Sequence, residues 1–418
     1  MVINRAEYLD RLIRHKDKSN LMKVLTGVRR CGKSTLLEIY QGYLKDSGVS
    51  DNQVIVINLE KRENIKFRDG DFLYDHIKEI TKKKKKFYVF IDELQLASDY
   101  EEVANSLRMQ DNIDLYVTGS NSKILLGKST KEKNGQTRWG GRYIEIKMLP
   151  LSFKEYASAF SQKRFSKDEL FKNYLQYSSF PEALKYASNG EYDALGVQDY
   201  LDGVYNSIII NDISNQDGIK DISLLKRIIN FLFSNIGHET SIGGIADYLK
   251  NEMKLNKDET KVYSDKVAVY VSALLKAFLF YEATRYYAKG KEYIKANAKY
   301  YTVDPALRYY LLGGDENVDS GKMLENIVYL ELCRRGYEVK VGRVENKEVD
   351  FVAVKPGSIV EYYQVSQTVM DPATSEREYA PLLKIKDSFP KYVLTRDWEN
   401  KIINGIKQMN VLEWLLRD

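Results

Sequence analysis

The run Gly27-Val28-Arg29-Arg30-Cys31-Gly32-Lys33-Ser34 matches the pattern G-x-x-x-x-G-K-[ST], and each constant position in it answers a physical need. Gly27 and Gly32 permit backbone turns that aim successive N–H groups at one point, where the oxygens of an anion fit. The apolar residues 21–25 before the loop read as a strand, and the segment after it reads as a helix stopped by Gly48. The positive end of that helix therefore faces the same anion. Lys33 offers a cation to the β- and γ-phosphates, and the Ser34 hydroxyl offers a ligand to Mg²⁺. The expected ligand is a nucleoside triphosphate. Arg29, Arg30, Cys31 and Thr35 complete the set of residues around it. The two arginines either touch phosphate or face solvent, and Cys31 is a small space-filling side chain.

Downstream, residues 52–60, 86–93 and 113–121 are compact runs rich in Val, Ile, Phe and Tyr, as buried parallel strands are. With helix-like segments between them they predict an α/β fold with a parallel P-loop NTPase sheet over residues 1–150. The run FYVFIDE ends in two acids. Asp92 suits the Mg²⁺ shell, and Glu93 suits the polarisation of an attacking water. The run YVTGSN ends in Thr118, Ser120 and Asn121, and either Ser120 or Asn121 is expected to reach that water or the γ-phosphate. Phosphoryl transfer also gains from a cation at the γ-phosphate. Arg142, after two glycines and before a strand, is the candidate, acting on its own site or on a neighbour's.

From residue 151 the pattern changes. Helix-like segments, one of them broken by Pro181, predict a helical region over 151–220, and helix, helix and a hairpin around a Lys-Gly-Lys turn predict a winged helix over 221–312. Its second helix carries only Lys266 and Lys276, which is thin for reading a major groove. Lys289, Lys291, Lys295 and Lys299 are the candidates for phosphate contact as a wing, and a protein partner is weighed equally with DNA. A smaller α/β domain is expected over 313–418, with the helix 322–336, three strand-like runs, a further helix and a further strand.

Composition narrows the class. The 418 residues carry 64 basic against 59 acidic side chains, too balanced a count to argue for nucleic acid by itself. Cys31 and Cys333 lie too far apart in sequence for a disulfide framework or a cysteine zinc site, and the three histidines make no metal-ligand pair. The amino-terminal segment is charged throughout, and the longest apolar stretch, 267–281, is interrupted by Lys276. A reducing, cytoplasmic protein without a membrane segment is the expectation.

Taken together, TGVRRCGKSTLL, FIDELQ, VTGSNS, PLSFKEY, FPEAL, IADYL, KYYTVD, LENIVYLEL and EVDFV resemble the prokaryotic AAA-type ATPases whose carboxyl-terminal half carries domain of unknown function 4143. The resemblance implies ATP rather than GTP, a helical lid with a winged helix, and a last domain similar to restriction-endonuclease-like nucleases. In such nucleases a helix Glu, an Asp and a Glu-or-Gln-x-Lys strand hold a divalent metal and support the water nucleophile. The matching positions here are Glu325, Asp350 and Gln364, but Ser366 stands where the lysine belongs. A serine supplies no cation, so this second site is expected to be degenerate, with Glu361 as a substitute carboxylate. The resulting expectation is a Mg²⁺-dependent ATPase acting as a nucleotide-driven switch on a winged-helix and non-cleaving nuclease-like module, able to form oligomers. An ATP-regulated nuclease, or a DNA- or protein-binding switch with little hydrolysis, are the alternatives.

Overall fold

The computed structural model describes residues 3–83, 85–122, 124, 142–160, 165–188, 191–215, 219–254, 257–286, 297–314, 320–355, 357 and 359–417. The chain divides into two compact units, one of residues 1–150 with Lys276–Phe278, the other of Leu151–Leu275 with Leu279–Asp418.

The first unit is a parallel sheet of five strands, β1 (Met22–Thr26), β2 (Val54–Asn58), β3 (Phe87–Asp92), β4 (Ile113–Gly119) and β5 (Tyr143–Lys147), in the order β2-β3-β4-β1-β5. Every residue of β1, β3 and β4 is buried, which is why these runs are apolar at nearly all positions rather than alternating. Helices α1 (Ala6–Arg14), α2 (Lys33–Asp46), α3 (Gly70–Ile80) and α4 (Tyr100–Arg108) belong to this unit. Leu73 and Ile77 of α3 and Val103, Ala104 and Leu107 of α4 join Val89, Ile91, Leu115 and Val117 of the sheet in one core. Because β4 lies between β1 and β3, the chain leaves β1 and β3 on either side of a third strand end. Ligands of open α/β sheets bind in such a crevice, outside the carboxyl ends of the strands.

The second unit begins with α5 (Phe153–Ser158) and α6 (Lys167–Gln176), each opened by a serine in a capping box, Ser152 with Glu155 and Ser166 with Glu169. Pro181 opens a 3₁₀ turn over Pro181–Tyr186, and a two-residue hairpin, β6 (Ala187–Ser188) with β7 (Glu191–Tyr192), precedes α7 (Ala194–Ser207). The helix continues as a π-helix over Ile208–Ser214. Next come α8 (Ile222–Ser234), β8 (Glu239–Thr240), α9 (Ile242–Met253), α10 (Lys257–Lys276), β9 (Phe280–Tyr286) and β10 (Ala298–Thr302). Strand β10 pairs antiparallel with both β8 and β9. The turn lysines Lys289, Lys291 and Lys295 lie outside the described residues.

After α11 (Pro305–Leu311) the chain forms α12 (Ser320–Arg334), β11 (Glu338–Val344), β12 (Lys347–Lys355), β13 (Ile359–Ser366), α13 (Pro372–Leu383) and β14 (Lys391–Thr395). A closing hairpin, β15 (Lys401–Ile403) and β16 (Ile406–Asn410), and α14 (Val411–Leu416) complete it. Strand β9 pairs in parallel with β11, Val341 with Arg285 and Gly342 with Tyr286. One sheet therefore runs β15-β16-β14-β13-β12-β11-β9-β10-β8 through the whole unit. No helix of the described residues is long and apolar enough to cross a membrane.

Candidate functional site

The loop between β1 and α2 owes its shape to its glycines. A Cβ on Gly27 would collide with the Met148 carbonyl oxygen, and Gly32, at φ 101°, caps α2 in a left-handed conformation that costs glycine little. Arg5, buried at 3% exposure, donates to the carbonyls of Cys31 (3.1 Å), Leu149 (2.8 Å) and Pro150 (3.2 Å). It ties the loop to the segment that follows β5. Cys31 is wholly buried, and burial pushes its thiol above the ordinary range, so it packs rather than reacts.

Lys33 opens α2, and its ammonium donates to the loop carbonyls of Gly27 (2.9 Å) and Val28 (3.2 Å). Leu36 N–H is bonded back to Gly32. The earlier N–H groups of the first helical turn, Ser34 and Thr35 included, have no intrahelical acceptor, which suits the helix end to an anion. Ser34 donates to Asp92 Oδ2 at 2.7 Å. That carboxylate also accepts from the Asn58 amide at 2.9 Å and from the Thr118 hydroxyl. Burial raises the pKa of Asp92, the hydrogen bonds from Thr118 and Ser34 act against it, and the Glu93 charge adds to the rise.

Glu93 leaves β3 in a left-handed conformation (φ 55°), which turns it off the strand line, and its N–H donates to Thr118 Oγ1 at 2.9 Å. Its carboxylate accepts from the Gln95 amide and from Ser120 N–H at 3.3 Å. Ser120 and Asn121 are both fully buried. Thus Lys33, Ser34, Asp92, Glu93, Thr118 and Ser120 meet at the carboxyl ends of β1, β3 and β4. Asn58, Gln95 and Arg5 are the contributors that no sequence pattern singles out.

Two of the candidate arginines have partners outside the phosphate loop. Arg29 pairs with Glu60 at 2.5 Å. Arg142 precedes β5, which runs parallel to β1 with Tyr143 opposite Met22, and Met22 N–H bonds the Arg142 carbonyl at 3.2 Å. It therefore sits at the amino edge of the sheet, a full strand length from the loop beyond Thr26. That register does not bring the Arg142 backbone to its own phosphate loop.

In the second unit Glu325 of α12 and Asp350 of β12 come together, with Gln364 of β13 accepting from Asp350 N–H at 2.7 Å. Lys299 is not a wing contact. It is 1% exposed, and its ammonium lies 2.9 Å from Glu325, 2.6 Å from Glu348 and 3.9 Å from Asp350. Burial works against that charge, and Glu325, Asp350 and Glu348 more than offset it, so the amine stays protonated well beyond the ordinary lysine range. Burial and the Glu325 charge push Asp350 up to about 7. Ser366 donates to the Thr368 carbonyl at 2.9 Å. Glu361 is no substitute carboxylate: along a strand of period two it faces away from Gln364, and it accepts from Tyr337 at 3.0 Å and from Tyr363. Among the described residues no group of three or more His, Cys, Asp or Glu side chains is arranged to hold a metal ion.

Comparison with known proteins places this geometry in a family. Residues 19–157 match the family described as an AAA domain, and residues 168–318 match Domain of unknown function (DUF8612), not the domain 4143 that the resemblance implied. An uncharacterized protein of Haemophilus influenzae is 36% identical over 421 aligned residues, covering 100% of this chain and 99% of the relative. An uncharacterized protein of Methanocaldococcus jannaschii is 29% identical, over 85% of this chain and 74% of its own. Among solved structures, AMPPCP-bound DnaA from Aquifex aeolicus aligns over 64% of this chain and 98% of its own at 12% identity. Its TM-score of 0.31 is too low for any argument about this chain. The chain belongs to the same family as the Haemophilus influenzae protein, and its amino-terminal unit is an AAA-type P-loop ATPase domain.

Proposed function

We propose that the chain hydrolyses ATP with Mg²⁺ in the Gly27–Ser34 loop and uses nucleotide state to reposition its second unit. The observation that carries this reading is the contact of Ser34 with Asp92 beside Lys33 and Glu93. A hydroxyl and a carboxylate 2.7 Å apart form a pair of oxygen donors suited to a hard divalent ion. Ser34 and Asp92 would hold Mg²⁺, which supplies Lewis-acid charge to the phosphate oxygens when bound. The N–H groups from Gly27 to Thr35 wrap the phosphates, and the Lys33 ammonium exchanges the Gly27 and Val28 carbonyls for phosphate oxygens. Glu93, held by Gln95 and the Ser120 N–H, orients the attacking water and accepts its proton, and Ser120 and Asn121 line the same strand end.

The helix–strand–helix–helix–hairpin order over residues 222–302 reads as a winged helix, and residues 320–395 as a nuclease-like α/β domain that does not cleave. Since β9 pairs with β11, the two share one sheet, and a force on either is felt by both. Lys266 is exposed on α10, while Lys299 is spent internally. Lys226 and Lys254 are exposed as well, so DNA and a protein partner are both open to this module.

Turnover and nucleotide binding by two variants test the site. Glu93→Gln keeps ATP affinity within a few-fold and lowers kcat by about 10²–10⁴. Lys33→Ala loses both binding and turnover. Wild-type turnover in both variants would remove the assignment.

A further inference from the structure

The nuclease resemblance implies a divalent metal among Glu325, Asp350 and Gln364, and the residues present do not accommodate one. Nearly every oxygen such an ion needs is already engaged, and the exception, Asp350 Oδ1, lies 3.9 Å from the Lys299 ammonium. Glu325 Oε1 accepts from Lys299 (2.9 Å) and Tyr301 (2.6 Å), and its Oε2 accepts from Lys322 (2.8 Å). Asp350 Oδ2 accepts from Val365 N–H at 2.9 Å, and Gln364 Oε1 from Asp350 N–H at 2.7 Å. The Gln364 amide donates onward to Glu378 at 2.8 Å. An ammonium has three donors and no acceptor, so it satisfies carboxylates as a metal does and repels a metal brought among them.

Access is not the obstacle. A cavity of about 660 Å³ is lined by Glu325, Glu348, Asp350, Gln364, Ser366 and Lys322, wide enough for a hydrated ion. Two ammonium charges stand between that cavity and a metal site, that of the part-exposed Lys322 and that of the buried Lys299. Lys299 arrives from β10, not from the α12–β12–β13 segment that carries the carboxylates.

We propose that the Lys299 ammonium is the resident cation of the Glu325–Glu348–Asp350 cluster, so that this domain takes no divalent metal, and that without it the three carboxylates, not arranged for a metal as they stand, close on a divalent ion. The proposal rests on the nuclease-like reading of residues 320–395 only for the kind of ion excluded. It also gives the missing lysine at Ser366 a counterpart. The cation here sits not where it would support a nucleophile but where it fills the metal position.

The test is Mn²⁺ binding to the nucleotide-free full-length chain, followed by electron paramagnetic resonance and by thermal unfolding across a Mn²⁺ series. Wild type and Lys299→Arg are expected to take up no ion and keep a constant Tm. Lys299→Met is expected to bind one Mn²⁺ at least tenfold more tightly than wild type, with a Tm that rises with Mn²⁺, and Lys299→Met/Asp350→Asn is expected to lose both. Should Lys299→Met fold poorly, Mn²⁺ is expected to restore its cooperative unfolding. Uptake by wild type that Asp350→Asn abolishes would overturn the proposal, as would a Lys299→Met chain indifferent to Mn²⁺. Nicking of supercoiled plasmid is scored separately. Cleavage by wild type without Mn²⁺ uptake at this cluster would sink the non-cleaving reading and leave the resident-cation proposal standing.

Discussion

Asp92 shows how a buried acid is kept usable. Burial alone favours its neutral form, and the Thr118 and Ser34 hydroxyls, both donating to the carboxylate, hold it toward ionisation. Thr118→Val removes one donor, so the pKa of Asp92 moves up. A carboxylate must be ionised to serve a metal shell, so the acid limb of kcat/KM for ATP should move to higher pH while the alkaline limb stays. A limb that does not move would mean that Asp92 is not the titrating group. The four positions Lys33, Ser34, Asp92 and Glu93 are legible in sequence because their chemistry demands particular residues at set places, a loop before a helix and two acids closing an apolar strand. Asn58, Gln95 and Arg5 are not legible. A lone amide at a strand end and an arginine ahead of the first helix look like ordinary solvated residues until tertiary contact buries them. Lys299 misleads for the same reason, since a lysine beside a turn reads as surface, and only the sheet puts it among three carboxylates.

Regular elements with a strong apolar period are where sequence and structure agree most closely, as in β3, β4 and α8. They differ where the element is short or its register depends on a partner. The closing hairpin β15–β16 is hard to read from sequence although Asn404-Gly405 is a strong turn signal, because its flanks, at three and five residues, carry too little apolar pattern. The π-helix after α7 has no local signature either. Strand β10 illustrates what an element owes to its surroundings. Its last residue, Thr302, is held by the fully buried Asn326 of α12, whose amide accepts the Thr302 N–H at 2.7 Å and donates to its carbonyl at 3.0 Å. The side chain does for Thr302 what a neighbouring strand would do. Asn326→Leu keeps the branched heavy-atom skeleton but leaves both backbone groups buried and unpaired. The expected loss is about 2–4 kcal/mol, read from equilibrium urea unfolding. A loss below about 0.5 kcal/mol would mean that water replaces the amide.

The boundary near residue 150 is where apolar parallel strands give way to helical segments, and the structure divides there, with Lys276–Phe278 returning to the first unit. Beyond it, the sequence suggests a winged helix and a separate α/β domain. The continuity of their sheet is not readable, because a two-residue parallel contact such as Val341–Arg285 and Gly342–Tyr286 leaves no pattern. That continuity sharpens what a nucleotide switch requires. A ligand shifts a conformational equilibrium only by its differential affinity for the two states, so a switch must register the γ-phosphate outside the unit that binds it. Hydrogen exchange compared between ADP and a non-hydrolysable ATP analogue, both with Mg²⁺, measures this directly. Around the Gly27–Ser34 loop and Asp92 both nucleotides should protect the backbone. Only the analogue should alter exchange across β8–β12, and because these strands form one sheet the change should appear on both sides of the β9–β11 pair together. If every difference between the two nucleotides stays within residues 1–150, hydrolysis does not drive the second unit. The chain would then be an ATPase whose second unit acts independently of it.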